Sequence, residues 1–285
     1  LELKVLHDGS FAARADRYVV DTDQAFEVAV RAASVDDQPM DGQSLDVTTG
    51  IERWDGKNYS LYHTEAQKLT LDSTGTAKLS LKSSRPGSYV IRVRGKDRRG
   101  NVIEAAEYVW VDGRIDAGSL APTPLKLELD RKQYAPGDRA KILIQTDQPG
   151  GSVLLAMEGD RLYDTRVVPM TSPSVTIEWP VSEAYSPNVQ ITASYIREKS
   201  FRTGADMLTV TNPRRDLKIS VEPSTEQTGP GQTVTYRVRT TTADGQPTPA
   251  EVSLAVVDES IFALAEDRLD LSREFYPMRY NAVQT

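Results

Sequence analysis

The feature of this chain that most constrains its fold is a two-residue alternation of apolar and polar side chains, repeated in short runs. The run at 26–31 alternates in this way, and so do the runs at 68–71, 77–82 and 89–94. Successive side chains of a β-strand point to opposite faces of a sheet, so this period is typical of strands with one buried face. No window of a dozen residues carries the 3.6-residue period of an amphipathic helix. The alternation therefore predicts an all-β chain.

Turn-forming residues separate these runs at intervals of roughly 8–12 residues, which is the spacing typical of a β-sandwich. Glycine, proline and aspartate stand between the runs, at 41–42, 55–56, 86–87 and 112–113. We predict a lead-in at 1–13, a first sandwich over 14–113 and a linker at 114–124. The two prolines and the small residues of the linker interrupt any strand ladder there.

The same pattern starts again after the linker. Pro136-Gly-Asp leads into an alternating run at 140–144, and Pro230-Gly-Gln leads into another at 233–238. A unit that recurs at an interval of roughly 90–115 residues indicates tandem copies of one domain. We predict a second sandwich over 125–212 and the first part of a third over 213–264. The third has too few strands to close a sandwich, so either its remaining strands follow residue 285 or the tail and a partner cover its inner face.

Composition narrows the function classes. The formal net charge is −7, which gives the chain no electrostatic reason to bind nucleic acid or an anionic membrane. The chain has no cysteine, so a disulfide framework, a thiolate nucleophile and cysteine metal sites are excluded. No apolar run approaches the roughly 18 residues needed to cross a bilayer. Residues 1–30 show no basic-then-apolar signal sequence.

The residue composition of the chain changes near its end. Residues 252–257 are predicted as a strand, and Asp258, Glu259 and Ser260 follow it. Residues 265–285 are charged and rich in bulky side chains. Neighbouring residues on a strand point to opposite faces, so Asp258 and Glu259 cannot share a proton as a catalytic dyad does. We therefore interpret these carboxylates as capping groups for backbone N–H groups rather than as a catalytic site.

Three features together resemble the bacterial α2-macroglobulin family. They are the serial β-units that begin with Tyr-x-Pro-Gly-Asp-like turns, the phrase Pro-Ala-Glu-Val-Ser-Leu-Ala-Val-Val-Asp-Glu-Ser-Ile-Phe-Ala-Leu at 249–264, and Phe-Tyr-Pro-Met-Arg at 275–279. The Val-Asp-Glu-Ser part is the specific one, because many β-sandwiches have Pro-Gly-Asp turns. The resemblance covers nearly the whole chain. It implies tandem antiparallel β-sandwiches of the macroglobulin-like, fibronectin/Ig-like kind, seven-stranded when complete, with the last one incomplete.

The resemblance also implies a function. In this family an exposed bait region interrupts one sandwich after its Val-Asp-Glu strand; a protease cuts the bait, the molecule rearranges, and the protease is trapped. The implied partners are target proteases and the neighbouring domains of the parent chain, and the implied location is the periplasm or cell envelope, with the extracellular space as the alternative. The family's Cys-Leu-Glu-Gln thioester, which lies well downstream, is absent from this cysteine-free chain. No enzymatic activity, cofactor or metal is expected.

On this resemblance, Val257, Asp258, Glu259 and Ser260 form a bait-flanking motif, and residues 265–285 form a bait-proximal tail. The tail offers side chains to several protease specificities: Arg268, Arg273 and Arg279 to trypsin-like pockets, and Phe275 and Tyr276 to chymotrypsin-like ones. A protease needs an extended and exposed segment. The opposite interpretation, in which the tail packs on a neighbouring domain, stays open.

Other candidate sites are weaker. His7 and His63, the two histidines, stand outside any acid-rich motif. The acidic pairs near residues 21–23 and 36–37 lie at predicted turns and lack the spacing of a calcium loop. The basic residues between 92 and 99 are expected to form a solvated strand face or a docking patch for another domain.

Two other functions stay open. The chain could consist of Ig-like structural or adhesion modules of a bacterial cell-surface protein. A β-sandwich glycosidase would need two carboxylates about 5–10 Å apart in a cleft, and no pair is placed so by the sequence.

Overall fold

The computed structural model describes residues 8–115, 117–211, 217–227, 229, 231–256 and 274–283. Over these residues the ordered elements are almost all β-strands. The helical residues among them are two single-turn 3-10 helices at Ala117–Ser119 and Glu183–Tyr185 and a short helical stretch at 274–275. The strands in chain order are β1 (Gly9–Ala15), β2 (Val19–Asp21), β3 (Phe26–Ser34), β4 (Ser44–Trp54), β5 (Tyr59–Thr70), β6 (Thr76–Leu81), β7 (Gly87–Lys96), β8 (Val102–Asp112), β9 (Lys126–Leu129), β10 (Gln133–Tyr134), β11 (Arg139–Gln145), β12 (Ser152–Glu158), β13 (Leu162–Pro169), β14 (Ser174–Pro180), β15 (Asn188–Arg197), β16 (Ser200–Val210), β17 (Leu217–Pro223) and β18 (Tyr236–Thr242).

The first eight strands form a sandwich of two sheets. One sheet has the order β1-β3-β6 and the other β2-β8-β7-β4-β5. Burial alternates along most of β3, so that Phe26, Val28 and Val30 point inward while the residues between them face solvent. Ile91 and Val93 of β7 belong to the same buried core. The two-residue period of the sequence thus arises because every second side chain of these strands is buried in the same core.

The next eight strands repeat the arrangement. A sheet of order β9-β11-β14 faces a sheet of order β10-β16-β15-β12-β13. The core between them contains Trp179, Met157 and Tyr195, each fully buried. The predicted tandem antiparallel β-sandwiches are therefore confirmed as the fold class of the chain.

Both sandwiches split their first strand between the two sheets. In the first sandwich β1 pairs antiparallel with β3, and β2 then pairs parallel with β8. In the second, β9 pairs antiparallel with β11, and β10 pairs parallel with β16. Counted as one interrupted strand, each such pair makes a sandwich of seven strands. The short parallel ladders depart from the predicted antiparallel pattern because the first strand crosses from one sheet to the other.

Two segments differ from the sequence expectation. Residues 9–13, which the sequence places in the lead-in, belong to β1, and β1 pairs along its whole length with β3. Residues 252–256 were predicted to begin a strand, and that prediction is wrong for this part, because they join no sheet among the described residues. Their apolar side chains at 252, 254 and 256 are exposed. Alternation marks a preference for a half-buried face, whereas a strand also needs a partner ladder.

The third unit is represented among the described residues by β17 and β18, which pair antiparallel in a two-stranded sheet. This sheet has no second layer in the part of the chain that the structure describes. Its limits at 213–264, like the other domain limits, stay a prediction.

The first two sandwiches meet at a small apolar contact. Val19 of β2 and Trp110 of β8 pack with Leu143 of β11, and all three are buried. Beside this contact, the Tyr18 N–H donates to the Asp130 carbonyl oxygen at 2.8 Å, and Lys141 pairs with Asp21. The junction thus joins the crossing segment of the first sandwich to the three-stranded sheet of the second.

Asp130 organises the junction side of the second sandwich. Its carboxylate Oδ1 accepts hydrogen bonds from the Tyr134 hydroxyl at 2.8 Å and from the Lys141 N–H at 2.7 Å. Its Oδ2 faces Arg17 Nη1 of the first sandwich at 3.3 Å. A buried carboxylate is tolerated because such donors replace water. Burial, followed by the neighbouring Asp130 charge, raises the pKa of Tyr134 well above its usual range.

Candidate functional site

The structure describes part of the predicted site. Val257, Asp258, Glu259, Ser260, Arg268 and Arg273 lie outside the described residues. The other three predicted cleavage points, Phe275, Tyr276 and Arg279, lie in the described segment 274–283. The geometry of the tail therefore rests on these three residues and their neighbours.

Phe275 and Arg279 have different environments. The Phe275 side chain is 75% exposed, whereas the Arg279 side chain is 28% exposed. Tyr276 lies between these extremes at 43%. A protease must bind an extended segment and admit one side chain to its specificity pocket. Phe275 is accessible but lies in the helical stretch 274–275, so a protease would have to extend it, and Arg279 is bonded to the second sandwich.

The backbone of Arg279 is held by the side chain of Asn188. The Arg279 N–H donates to Asn188 Oδ1 at 2.7 Å, and Asn188 Nδ2 donates to the Arg279 carbonyl oxygen at 3.0 Å. An asparagine amide has one acceptor oxygen and one donor nitrogen, so it can satisfy both backbone groups of one residue. Asn188 is buried at the start of β15. Its side chain makes the two backbone hydrogen bonds with Arg279 that a neighbouring strand would otherwise make.

The guanidinium group of Arg279 enters a polar recess of the second sandwich. Its Nη1 donates to the Tyr163 hydroxyl, and also to the Ala184 carbonyl oxygen at 2.9 Å. The same nitrogen lies 3.8 Å from Asp160 Oδ1. The guanidinium carbon lies 5.8 Å from the centre of the Tyr163 ring, within the range of a cation–π contact. Arginine is therefore bound by hydrogen bonds, by charge and by an aromatic ring together.

Two residues further on, the tail makes a second set of contacts. Asn281 Nδ2 donates to Glu158 Oε2 at 2.7 Å, and the Ala282 N–H donates to the Gly159 carbonyl oxygen at 2.8 Å. Tyr280, between Arg279 and Asn281, is 90% exposed. Side chains that alternate in this way are typical of an extended strand. We call residues 279–282 the docked segment, and we call its receptor, formed by Glu158, Gly159, Asp160, Tyr163, Ala184 and Asn188, the docking notch.

The docking notch is built by the hairpin of β12 and β13 and by the turn before β15. The pairing register of β12 with β13 shifts between Met157 and Glu158, and such a bulge re-aims the side chain that follows it. Glu158 is consequently buried next to buried Met157, with 1% of its surface exposed. A Cβ atom at Gly159 would lie 3.2 Å from Tyr163 Cε2, so a side chain there would press on the ring that receives the arginine.

The other side of the notch is set by the 3-10 turn Glu183–Tyr185. Ser182 caps this turn, because its hydroxyl oxygen accepts from the Ala184 N–H at 3.2 Å. The Tyr185 ring packs edge-on against Tyr163, with ring centres 5.6 Å apart. These contacts fix both the carbonyl oxygen and the phenol that accept from Arg279.

The electrostatics of the notch favour a cation. The hydrogen bond from the Tyr163 hydroxyl, together with the nearby charge of Arg279, lowers the pKa of Asp160 although partial burial opposes this. Partial burial and the hydrogen bond that it donates to Asp160 raise the pKa of Tyr163. Asp160 is thus ionised and Tyr163 protonated at neutral pH. The site can bind a guanidinium group.

The remaining sequence candidates form no site in the described part of the chain. His63 is exposed at φ 53° in β5, near the bulge of the β4–β5 pair, and His7 lies outside the described residues. Asp37 pairs with Arg31 at 2.7 Å. Of the basic residues between 92 and 99, Arg92 pairs with Glu52 at 3.6 Å. No group of three or more metal-ligating side chains occurs among the described residues.

The fold places this chain in the class of proteins built from serial β-sandwiches. The docked segment, which follows the third unit in the chain, returns to the second sandwich. A family model described as the alpha-2-macroglobulin bait region domain matches residues 125–264. The chain belongs to the α2-macroglobulin family, which confirms the resemblance seen in its sequence.

Curated relatives agree with this family. An alpha-2-macroglobulin homolog of Deinococcus radiodurans is 32% identical over 205 residues, covering 70% of this chain and 20% of the relative. The alpha-2-macroglobulin of Ralstonia nicotianae is 30% identical over 228 residues, covering 76% of this chain and 14% of the relative. This chain thus spans a fifth or less of the length of these relatives.

Among solved structures, a mutant Salmonella alpha-2-macroglobulin aligns with 96% of this chain and 20% of that chain. The identity is 17% and the TM-score is 0.38, a level of similarity that bears on neither fold nor function here. Within the described residues, no helix has the length and apolar character required to span a membrane.

Sequence reasoning found the arginine but missed its receptor. Asn188 and Arg279 are 91 residues apart in the chain, and Glu158 and Asn281 are 123 apart. No local period connects such residues. The one signal available in the sequence was the buried-strand context of Glu158, an acidic residue directly after the apolar run of β12.

Proposed function

We propose that this chain is scaffold of a protease-trapping inhibitor and that it leads into the bait region that a target protease cuts. The observation that carries the proposal is the match to the bait region domain over 125–264. The Deinococcus radiodurans relative is called an alpha-2-macroglobulin homolog and the Ralstonia nicotianae relative an alpha-2-macroglobulin. Phe275, eleven residues beyond the end of that match, is 75% exposed, which supports a segment that a protease can reach.

In this proposal the two sandwiches are the rigid part. Each has its own buried core, and they touch through Val19, Trp110 and Leu143. Residues 257–260 flank the bait, and Arg268, Arg273, Phe275 and Tyr276 are the points of attack. Arg279 is not one of these points of attack, because its backbone and side chain are both bonded.

The chain acts in this proposal as a substrate and support, not as an enzyme. Its partners are target proteases, which cut the tail, and neighbouring domains of the parent chain. No cofactor or metal is required for cleavage by another protein's active site. We place the parent protein in the periplasm or at the cell envelope, or alternatively outside the cell, where proteases from other sources are met.

Limited digestion of the full chain tests the proposal. Trypsin, chymotrypsin and elastase, each at low ratio, should make their first cut between residues 264 and 285, as read by mass spectrometry of the products. The variant Arg268→Gln/Arg273→Gln is the matched control: it should slow the first trypsin cut and leave the chymotrypsin cut unchanged.

First cleavage in the segment between the two sandwiches would contradict the proposal. If all three proteases first attack the segment 114–124 and leave 264–285 intact, the bait-proximal role is refuted. Such a pattern would favour the alternative of Ig-like structural modules joined by a susceptible linker.

A further inference from the structure

We propose that the docking notch is a binding site for an extended Arg-x-Asn peptide segment, that its ligand is the chain's own residues 279–282, and that this occupancy shields the bond after Arg279 from trypsin-like proteases. The inference goes beyond the proposed function, because the contacts exist whether or not the preceding residues are a bait. It assigns a role to Glu158, Tyr163 and Asn188.

The shielding follows from competition for the same groups. A trypsin-like protease binds its substrate as an extended strand through backbone hydrogen bonds, and it takes the arginine into its specificity pocket. Both backbone groups of Arg279 are already bonded to Asn188. Its Nη1 is already bonded to Tyr163 and to the Ala184 carbonyl oxygen. The segment must therefore leave the notch before a protease can bind it.

The notch selects arginine at its first position. One nitrogen of the guanidinium group serves two acceptors that lie in different directions, while the group as a whole sits near the Tyr163 ring and Asp160. A lysine ammonium is a compact, strongly hydrated charge that lacks the planar fork, so it reproduces this geometry poorly. Arg279→Lys should thus weaken docking and still leave a trypsin cleavage site.

The notch selects an amide two residues later. Glu158 is 1% exposed, and its Oε2 accepts from Asn281 Nδ2 at 2.7 Å. Its other oxygen, Oε1, has no hydrogen-bond partner among the described residues. A buried carboxylate gains from any donor that reaches it, so Asn281 fits this position. Tyr280, between Arg279 and Asn281, faces solvent. The notch therefore does not select the side chain at the middle position of the Arg-x-Asn segment.

Docking also has a consequence for a chain cut upstream. A cut after Phe275 breaks the covalent path into the docked segment but none of its contacts with Asn188, Glu158 and Gly159. The newly formed end would therefore stay on the second sandwich. The notch holds the downstream side of the cut.

The test compares one bond in two settings. In the full chain carrying Arg268→Gln and Arg273→Gln, trypsin cleavage after Arg279 is followed by mass spectrometry of the released peptide 280–285. The reference is a free synthetic peptide of residues 274–285 under the same conditions. We expect cleavage in the chain to be at least tenfold slower, because a segment docked for more than nine-tenths of the time is accessible for less than about one-tenth of it.

Two variants identify the cause of the protection. Asn188→Ala should bring the rate close to that of the free peptide, whereas Asn101→Ala, which removes an asparagine side chain from a turn of the first sandwich, should leave it slow. If circular dichroism shows that Asn188→Ala is unfolded, Arg279→Lys takes its place and should also lose protection. A chain cut as fast as the free peptide, or protection that survives these variants, would overturn the proposal.

A second measurement follows retention. After limited chymotrypsin cleavage of the bond after Phe275, native mass spectrometry should find the peptide 276–285 still bound to the rest of the chain, and no longer bound in Asn188→Ala. Immediate loss of that peptide from the parent chain would overturn the retention part. Failure here is separable from failure of the proposed function, which depends on where the first cut falls.

Discussion

Replacing Asp130 by alanine tests how the second sandwich is stabilised at its junction with the first. Asp130 is 1% exposed and accepts hydrogen bonds from the Tyr134 hydroxyl and the Lys141 N–H at 2.8 and 2.7 Å. Alanine removes the acceptor and leaves both donors in the protein interior. The Arg17 guanidinium loses its partner at the same time.

The magnitude follows from the number of donors left without a partner. A buried donor that loses its acceptor costs about 1–3 kcal/mol, so the two donors together cost about 2–6 kcal/mol. The Arg17 side chain is 33% exposed, and losing a pair of that kind costs at most about 1 kcal/mol. We expect Asp130→Ala to lower the free energy of unfolding by about 4 kcal/mol, near the middle of that range, because most of the cost comes from the two unpaired donors.

The assay is urea unfolding followed by the fluorescence of Trp179, whose ring is fully buried in the core of the second sandwich. All proteins compared carry Trp54→Phe and Trp110→Phe, so the signal comes from one tryptophan. Asp138→Ala is the matched control. Asp138 also accepts a backbone N–H bond and pairs with Arg131, but its side chain is 35% exposed, so water replaces the lost contacts and we expect about 1 kcal/mol.

A double-mutant cycle with Tyr134→Phe sharpens the test. In the wild type, Tyr134→Phe removes a hydrogen bond to a charged group and should cost about 1.5–3 kcal/mol. In the Asp130→Ala background the hydroxyl has already lost this acceptor and keeps only the hydrogen bond from the Arg131 N–H at 3.1 Å. Tyr134→Phe should therefore cost less there, giving a coupling of about 2 kcal/mol. The reasoning is refuted if Asp130→Ala costs no more than Asp138→Ala, or if the effects of Asp130→Ala and Tyr134→Phe simply add.

Three further predictions concern other parts of the chain. Hydrogen bonds from the Thr74 hydroxyl and from nearby backbone N–H groups lower the pKa of Asp72 to about 2. The unfolded chain therefore takes up this proton first as the pH falls, and the stability that Asp72 adds should be complete above about pH 4 and lost between about pH 4 and pH 2; urea midpoints of Asp72→Asn should lack that part of the pH dependence. Gly95→Ala would place a Cβ atom 2.5 Å from Leu45 Cδ2, and such overpacking should cost about 1–3 kcal/mol, seen as a lower thermal midpoint. Asn281→Ala leaves the buried carboxylate beneath it without that donor, so trypsin should cut after residue 279 several-fold faster, and an unchanged rate would contradict the assigned contact.

The strands could be predicted from the sequence where one face of the strand packs into the core between two sheets, because that face then carries every second apolar residue. The run at 26–31 lies within β3 and the run at 140–144 lies within β11. Both strands bury one face against an opposing sheet, and the apolar residues of their sequences alternate because they lie on that face. Residues 252–256 alternate as well, yet they pair with no strand among the described residues. Local pattern thus reports how a strand could pack, and it does not report whether a partner strand is present.

The crossing of the first strand could not be read from local pattern. Tyr18 stands directly before β2 and Tyr134 lies in β10, so each lies where the chain passes from the three-stranded to the five-stranded sheet. The passage depends on hydrogen bonds with distant partners, such as that from the Tyr18 N–H to the Asp130 carbonyl oxygen. A repeated turn marks the place of such a crossing, but its parallel pairing requires the structure.

The candidate site shows the same limit more strongly. Side-chain type predicts Phe275 and Arg279 as residues that protease pockets accept, and it is equally compatible with a tail that packs on another domain. The structure separates the two residues, because Phe275 is exposed and Arg279 is bound by Asn188. Exposure depends on which distant residues the chain folds against, and no spacing within the tail encodes that.

The junction and the docking notch lie on connected strands of the second sandwich. Tyr134, which binds the junction residue Asp130, pairs in β10 with Val210 of β16, and the neighbouring Thr209 pairs with Asn188 of β15. The turn at 136–138 is joined to the same region, since the Gly137 N–H donates to the carbonyl oxygen of Val181, just before the turn that carries Ala184. A repeated feature that the sequence marks only as a turn therefore stands between the contact with the first sandwich and the contact with the tail. Asn188, which binds the tail, and Tyr134, which binds Asp130 at the junction, are therefore joined through neighbouring residues of β16.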